Sequence, residues 1–303
     1  MMTLMRSTTT LLGALLYLVS SSIALTSLSS FSRPRVFPTT TLRMAAAAAP
    51  DILYDAPVSN HGARVRFIVY EKQLGPEQLT IAPPTDLSPQ GLKSPEYLAL
   101  NPQGKMPLLV CGGSGLVVPE SDTICRYLLD KHASSPGPSF VPSTPEQRTL
   151  SEQVCRTHDM YLTCLQGAMY KAPGTPYSIY GMDRLAALSE FRRQLTGIDA
   201  AVTAFESRFP HLPHGPFLCG DAISLADATL FPTAVFAMYM LPQFFQWKES
   251  NVLGPRLMRW YQHLSDHVPV AQRIKGEILP VLEGWKAKGR WDPIVAELNL
   301  SHH

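Results

Sequence analysis

The stretch LKSPEYLALNPQGKMPLLVCGGSGLVVPESDTICRYLLDKH, Leu92 to His132, decides the fold. Its first part, punctuated by Pro95 and Pro102, predicts a loop. Leu108 to Cys111 and Leu116 to Val118 are short apolar runs on either side of a Gly-rich turn, the pattern of two strands. From Ser121 the apolar positions recur at helical spacing, which predicts a helix to about His132. Upstream, ILY at Ile52 to Tyr54 and QLTIAP at Gln78 to Pro83 are two further strand segments. Between them His61 to Leu74 predicts a helix with Val65, Ile68 and Val69 on one face and charges elsewhere, stopped by Gly75 and Pro76. The order is therefore βαβ followed by ββα.

Downstream of His132 the pattern changes. ASSPGPSFVPSTPE, ending at Glu146, carries four prolines and reads as a linker, taken as residues 134–146. Beyond it strand signals vanish, and helical periodicity runs through 146–171, 182–209, 224–241, 254–267 and 270–289. The expected organisation is an α/β domain over 51–133, an all-α domain over 147–288 and a tail over 289–303.

A chain of 303 residues with 45% hydrophobic and 17% charged residues is long enough for two packed domains and too apolar for disorder. A net charge of +2, without a basic cluster interleaved with aromatics, makes nucleic acid an unexpected partner. The cysteines are Cys111, Cys125, Cys155, Cys164 and Cys219, with no C-x-x-C pair and no zinc spacing, so neither a metal site nor a disulfide framework is expected.

Residues 1–50 are of another kind: they contain no Asp or Glu. One positive charge, the apolar run LLGALLYLV at Leu11 to Val19 and the small residues ending at Ala24 have the form of a signal peptide. The run is short for a membrane span, and no stable span is expected in the mature protein. Leu25 to Pro50 is rich in Ser, Thr and Ala with three arginines, which is transit-peptide composition. The pair resembles the bipartite leaders of plastid proteins in algae with secondary plastids, with Phe31 fitting that pattern. Plastid targeting is the expectation, and simple entry into the secretory pathway the alternative.

Four local patterns, in this order and spacing, resemble the glutathione transferase superfamily, and the resemblance covers residues 51 to 288. They are NPQGKMPLL at Asn101 to Leu109, PESDTICRYL at Pro119 to Leu128, LKSPEYLALNP at Leu92 to Pro102, and the S-x-x-D capping box of Ser224 and Asp227 ahead of an apolar helix. The resemblance implies a thioredoxin-like first domain and a helical second one. It implies a cis Pro107 that exposes the backbone of Met106 to pair with the cysteinyl part of glutathione. Glu120 and Ser121, at the start of a helix, would bind the γ-glutamyl end. Lys93 and Lys105 would reach the glycyl carboxylate, although Leu92 stands where the family often has a histidine. A small hydrophobic electrophile as second substrate and a homodimer are implied in the same way.

The loop YDAPVSNHGARVRF, Tyr54 to Phe67, then places Ser59 at the position of the catalytic serine of phi and zeta members. No cysteine lies in it, which disfavours branches that need a protein thiolate. The nucleophile would be glutathione's own thiol, with a pKa near ~8.5 when free. A hydroxyl donating to the thiolate supplies roughly 1.5–3 kcal/mol, much of a shift of about two units. Asn60 and His61 are the local rivals as donors, and a plain polar turn with a helix cap is the bland alternative. The expected function is glutathione transfer to an electrophile, or glutathione-dependent isomerisation or peroxide reduction, with glutathione as co-substrate and no metal. A non-catalytic binding or scaffold protein on the same fold is the alternative.

Overall fold

Strand β1 (Asp51–Tyr54) runs parallel to β2 (Leu79–Ala82) on one side and antiparallel to β3 (Leu108–Val110) on the other. β3 in turn pairs antiparallel with β4 (Val117–Pro119), giving the sheet order β2-β1-β3-β4. These features come from a computed structural model, which describes residues 49–177 and 181–300. The targeting segment expected over 1–50 lies almost wholly outside the described residues.

Between β1 and β2, helix α1 (Asn60–Glu71) begins at a Ser59 N-cap whose hydroxyl accepts from the Gly62 N–H at 3.0 Å. Ala63 to Val69 are all buried, because α1 packs on α3 (Ser121–Lys131) on one side and on two helices of the helical region, Leu225–Phe245 and Pro269–Ala287, on the other. The charges expected on a solvated face are inside: Arg64 is 1% exposed and Arg66 3% exposed. A short helix, α2 (Pro95–Leu100), occupies part of the expected loop. Ser94 caps it by accepting from the Tyr97 N–H, and Pro95 sits at its first position, where a missing N–H costs nothing.

The helical region comprises α4 (Pro145–Thr157), a π-helical stretch His158–Leu162, α5 (Thr163–Gln166), α6 (Arg184–Arg208), α7 (Leu225–Phe245), α8 (Pro255–His267), α9 (Pro269–Ala287) and α10 (Asp292–Leu300). Residues 289–303, expected as a tail, contribute α10, and Trp291 and Ile294 are buried in the core. Trp291 stacks flat on Phe244 at 4.1 Å and its indole N–H donates to the Met169 carbonyl at 2.8 Å, which anchors the start of α10.

Helix α7 is the centre of this region. It is long and apolar enough to cross a membrane, but here it is buried among the other helices. Its N-terminus is fixed by Asp227, whose carboxylate accepts from the Ser224 N–H and hydroxyl, the Leu218 N–H and the Trp260 indole, all at 2.7–2.9 Å. One hydrophobic core runs from Leu53 to Ile294 without a break at the proline-rich linker. Phe67 of α1 meets Phe140 and Phe231 edge-to-face, so the α/β layer and the helices share this core.

Candidate active site

The cavity that gathers most of the sequence-predicted residues has a volume of about 420 Å³. His61, Asn101, Lys105, Met106, Pro107, Glu120 and Ser121 line it on the α/β side, and Arg156, Asp159 and Thr163 on the helical side. The Met106–Pro107 bond is cis, which among residue types proline alone tolerates readily. The turn before it is held by two hydrogen bonds to the Lys105 carbonyl at 2.8 Å, from the Tyr97 hydroxyl and from the Asn101 amide. Lys93 ends a 3₁₀ turn, Gly91–Lys93, is exposed, and is not among the residues lining the cavity.

Glu120 has φ 68° and ψ 117°, a conformation that costs a non-glycine residue about 1–3 kcal/mol. Its side chain makes no capping bond to α3, so a simple helix cap does not account for it. This backbone turns the N-terminus of α3 so that Ser121 lines the cavity, where N–H groups and the helix dipole favour a negative charge. The Ser121 hydroxyl is 3.4 Å from Arg64 Nη1 and 3.5 Å from His61 Nδ1.

Of the three polar residues at the start of α1, each has a different situation. Ser59 is 9% exposed; its oxygen accepts from Gly62, which uses one lone pair and leaves its hydrogen to donate. Capping therefore leaves that hydrogen unused by Gly62, although Ser59, like Lys93, is not among the residues lining the cavity. Asn60 is not free to donate further: both hydrogens of its amide are given away, to Gln166 Oε1 and to Thr233 Oγ1, each at 2.7 Å. Serving as the alternative thiol donor would require Asn60 to give up one of these two bonds. His61 faces the cavity with a pKa pushed down to about 4 by burial and by the neighbouring His158, so its imidazole is neutral at pH 7.

Two arginines beneath the site escaped the sequence reading. Arg64 donates to Asp159 through Nη1 at 3.0 Å and to Asp122 through Nη2 at 2.8 Å. Burial alone would raise the Asp159 pKa, but hydrogen bonds and charge from His158 and Arg64 outweigh it and hold the carboxyl far below its usual range. His158 Nδ1 is 2.8 Å from Asp159, and its Nε2 is 2.8 Å from the Thr233 hydroxyl that also receives Asn60. A polar chain thus connects the N-terminus of α1 to the acidic wall of the cavity. Arg66 points the other way, to Asp55, to the carbonyls of Ala56 and Pro57, and to Glu277 of α9. The signal for this was R-V-R: residues two apart on a helix face opposite sides, so two buried arginines need two separate sets of partners. Among the described residues no group of His, Cys, Asp and Glu is arranged to hold a metal ion.

The N-terminal domain model of glutathione S-transferases matches residues 53–137, and the C-terminal domain model matches residues 189–263. Glutathione S-transferase 3 of Zea mays is 31% identical over 180 residues, covering 59% of this chain and 75% of that protein. The maleylacetoacetate isomerase of Rhizobium meliloti is 28% identical over 183 residues, 60% of this chain and 78% of that protein. Among solved structures, glutathione transferase F2 of Populus trichocarpa superposes with a TM-score of 0.53 at 21% identity, over 76% of this chain and 100% of that one. The chain belongs to the glutathione S-transferase family, with a thioredoxin-like N-terminal domain and a helical C-terminal domain.

Proposed function

We propose that the protein is a glutathione transferase of the serine type. The observation that carries this reading is the convergence on one cavity of Lys105, the cis Met106–Pro107 pair, Glu120 and Ser121. Glutathione would lie with its cysteinyl backbone along Met106, its γ-glutamyl group at Glu120 and Ser121, and its glycyl carboxylate toward Lys105, with Lys93 reaching in from the 3₁₀ turn. Its sulfur would then sit at the N-terminus of α1. The Ser59 hydroxyl donates to the thiolate there, and the helix N-terminus adds about 0.3–1 kcal/mol. The neutral His61 at the cavity is the remaining rival for that donation. The activated sulfur attacks a small hydrophobic electrophile; isomerisation or peroxide reduction would use the same thiolate. The relation to maleylacetoacetate isomerase supports keeping isomerisation in view.

Retention of the full chain on immobilised glutathione, followed by turnover of a panel of electrophiles, tests the reading. Retention with turnover is expected. Retention without any turnover would favour a non-catalytic binding protein, and no retention would overturn the glutathione site. Family resemblance also supports a homodimer, which sedimentation at micromolar concentration checks. Plastid delivery by residues 1–50 is tested by fusing them to a fluorescent reporter in an alga with secondary plastids; a reporter retained in the secretory system contradicts it.

A further inference from the structure

Glutathione brings two carboxylates and one ammonium into its site at neutral pH. With Lys105 and Lys93 toward the glycyl carboxylate and Glu120 toward the ammonium, the α-carboxylate of the γ-glutamyl group has no free cation on the α/β side of the cavity. Ser121 offers it a hydroxyl and the start of α3 a partial positive charge. The other charges around this end are engaged with one another. Asp122 is held by Arg64 and Arg126, and Asp159 by Arg64 and His158. Arg156 is the exception: it lines the cavity from the helical side and makes no ion pair among the described residues.

The ion pairs between the two layers set Arg156 level with the start of α3. Asp122, in the first turn of α3, shares Arg64 with Asp159, which lies just past the end of α4. Arg126, one turn further along α3, pairs with Glu152, which precedes Arg156 by one turn of α4. The two segments therefore pass each other in opposite directions. Glu152 and Arg156 are four residues apart and share a helix face, so Arg156 comes opposite the first turn of α3. Ser121, Asp122 and Thr123 of that turn line the same cavity. The sulfur end lies further along the chain's helical side, where Gln166 meets Asn60 at the start of α1.

We propose that Arg156 binds the α-carboxylate of the γ-glutamyl group, so that the helical domain takes part in selecting the thiol substrate. This rests on the reading of the cavity as a glutathione site. A guanidinium presents paired N–H donors that match the two oxygens of a carboxylate, which a single hydroxyl cannot do. Glu120 holds the ammonium of the same amino-acid head from the α/β side, so the head is gripped by both domains at once. A thiol peptide without that carboxylate loses the Arg156 contact and keeps the others. Arg156 is exposed in the free protein, and solvent screening holds the effect to about tenfold or less.

The test uses S-methylglutathione, whose capped sulfur separates binding from thiol ionisation. Its affinity for the full-length wild type and for Arg156→Gln is measured by calorimetry, beside two analogues. One carries γ-aminobutyryl in place of γ-glutamyl and lacks only the carboxylate; the other carries glutaryl and lacks only the ammonium. Arg156→Gln should weaken S-methylglutathione and the glutaryl analogue by about five- to tenfold and leave the γ-aminobutyryl analogue within about twofold of wild type. Arg156→Lys should restore part of the loss, and an unchanged melting temperature shows that the fold persists. Equal weakening of all three ligands, or of none, overturns the assignment of Arg156 while leaving the glutathione site standing. Failure of wild type to bind S-methylglutathione overturns the site itself, and the assignment with it.

Discussion

Ser59, Asn60 and His61 are adjacent in sequence and of similar polarity, and hydrogen-bond accounting separates them. Ser59 has a hydrogen to give, Asn60 has none left, and His61 is a neutral ring at the cavity. Ser59→Ala should lower conjugation at neutral pH by roughly ten- to hundredfold, the loss of about 1.5–3 kcal/mol at the thiolate. It should also cost about 1 kcal/mol of stability through the lost cap, visible in urea unfolding. Asn60→Ala should do the opposite: thiolate formation nearly unchanged, stability lower by about 1–3 kcal/mol because Gln166 and Thr233 lose a buried partner. Equal loss of thiolate in both variants would mean that the loop acts only as a structural turn.

At the scale of elements, α1 is the piece that everything else is built around. A helix buried on both sides normally carries apolar residues, and here it carries two arginines, each serving a different neighbour. Arg64→Met removes the common partner of Asp122 and Asp159, which keep Arg126 and His158 and are partly solvated, and should destabilise by about 1.5–3 kcal/mol. A shift in urea midpoint well below that range would show that solvent already satisfies them. The strands, α1 and α3 are legible in sequence because their signals are local: short apolar runs, helical spacing, glycine and proline; the cis Pro107 follows only from the family resemblance, since by itself the residue reads as a proline opening a strand. The buried roles of Arg64, Arg66 and Asp55 are not, because they depend on Asp122, Asp159 and Glu277, which only the folded chain brings near. The α10 helix is hidden for the same reason: nothing local to Trp291 says that Phe244 and Met169 await it. By contrast, S-P-E at Ser94 to Glu96 is a readable start signal for α2, masked by the prolines that flank the segment and give it the look of a loop.

For the whole molecule, two groups at the site give opposite pH dependences. Asp55 sits at about 6 in the fold against 3.8 ordinarily, so in that window the native state holds the extra proton and its contribution falls as pH rises. His61 sits at about 4 against 6.5, so between those values the unfolded chain holds the extra proton and stability rises with pH. Between pH 4 and pH 6 the two offset, with the lowered, fully buried His158 adding to the rise. Asp55→Asn removes the opposing part, so stability of that variant should climb more steeply with pH over this window; an identical slope in both proteins would contradict the buried state of Asp55. The central claim, that this fold binds glutathione and ionises its thiol at Ser59, is tested most directly by titrating the ultraviolet band of glutathione bound to wild type and to Ser59→Ala. The account predicts a bound thiol pKa about two units below the free value of ~8.5 in wild type, returning most of the way in the variant. A bound thiol that titrates like free glutathione in wild type, or identically in both proteins, would contradict it.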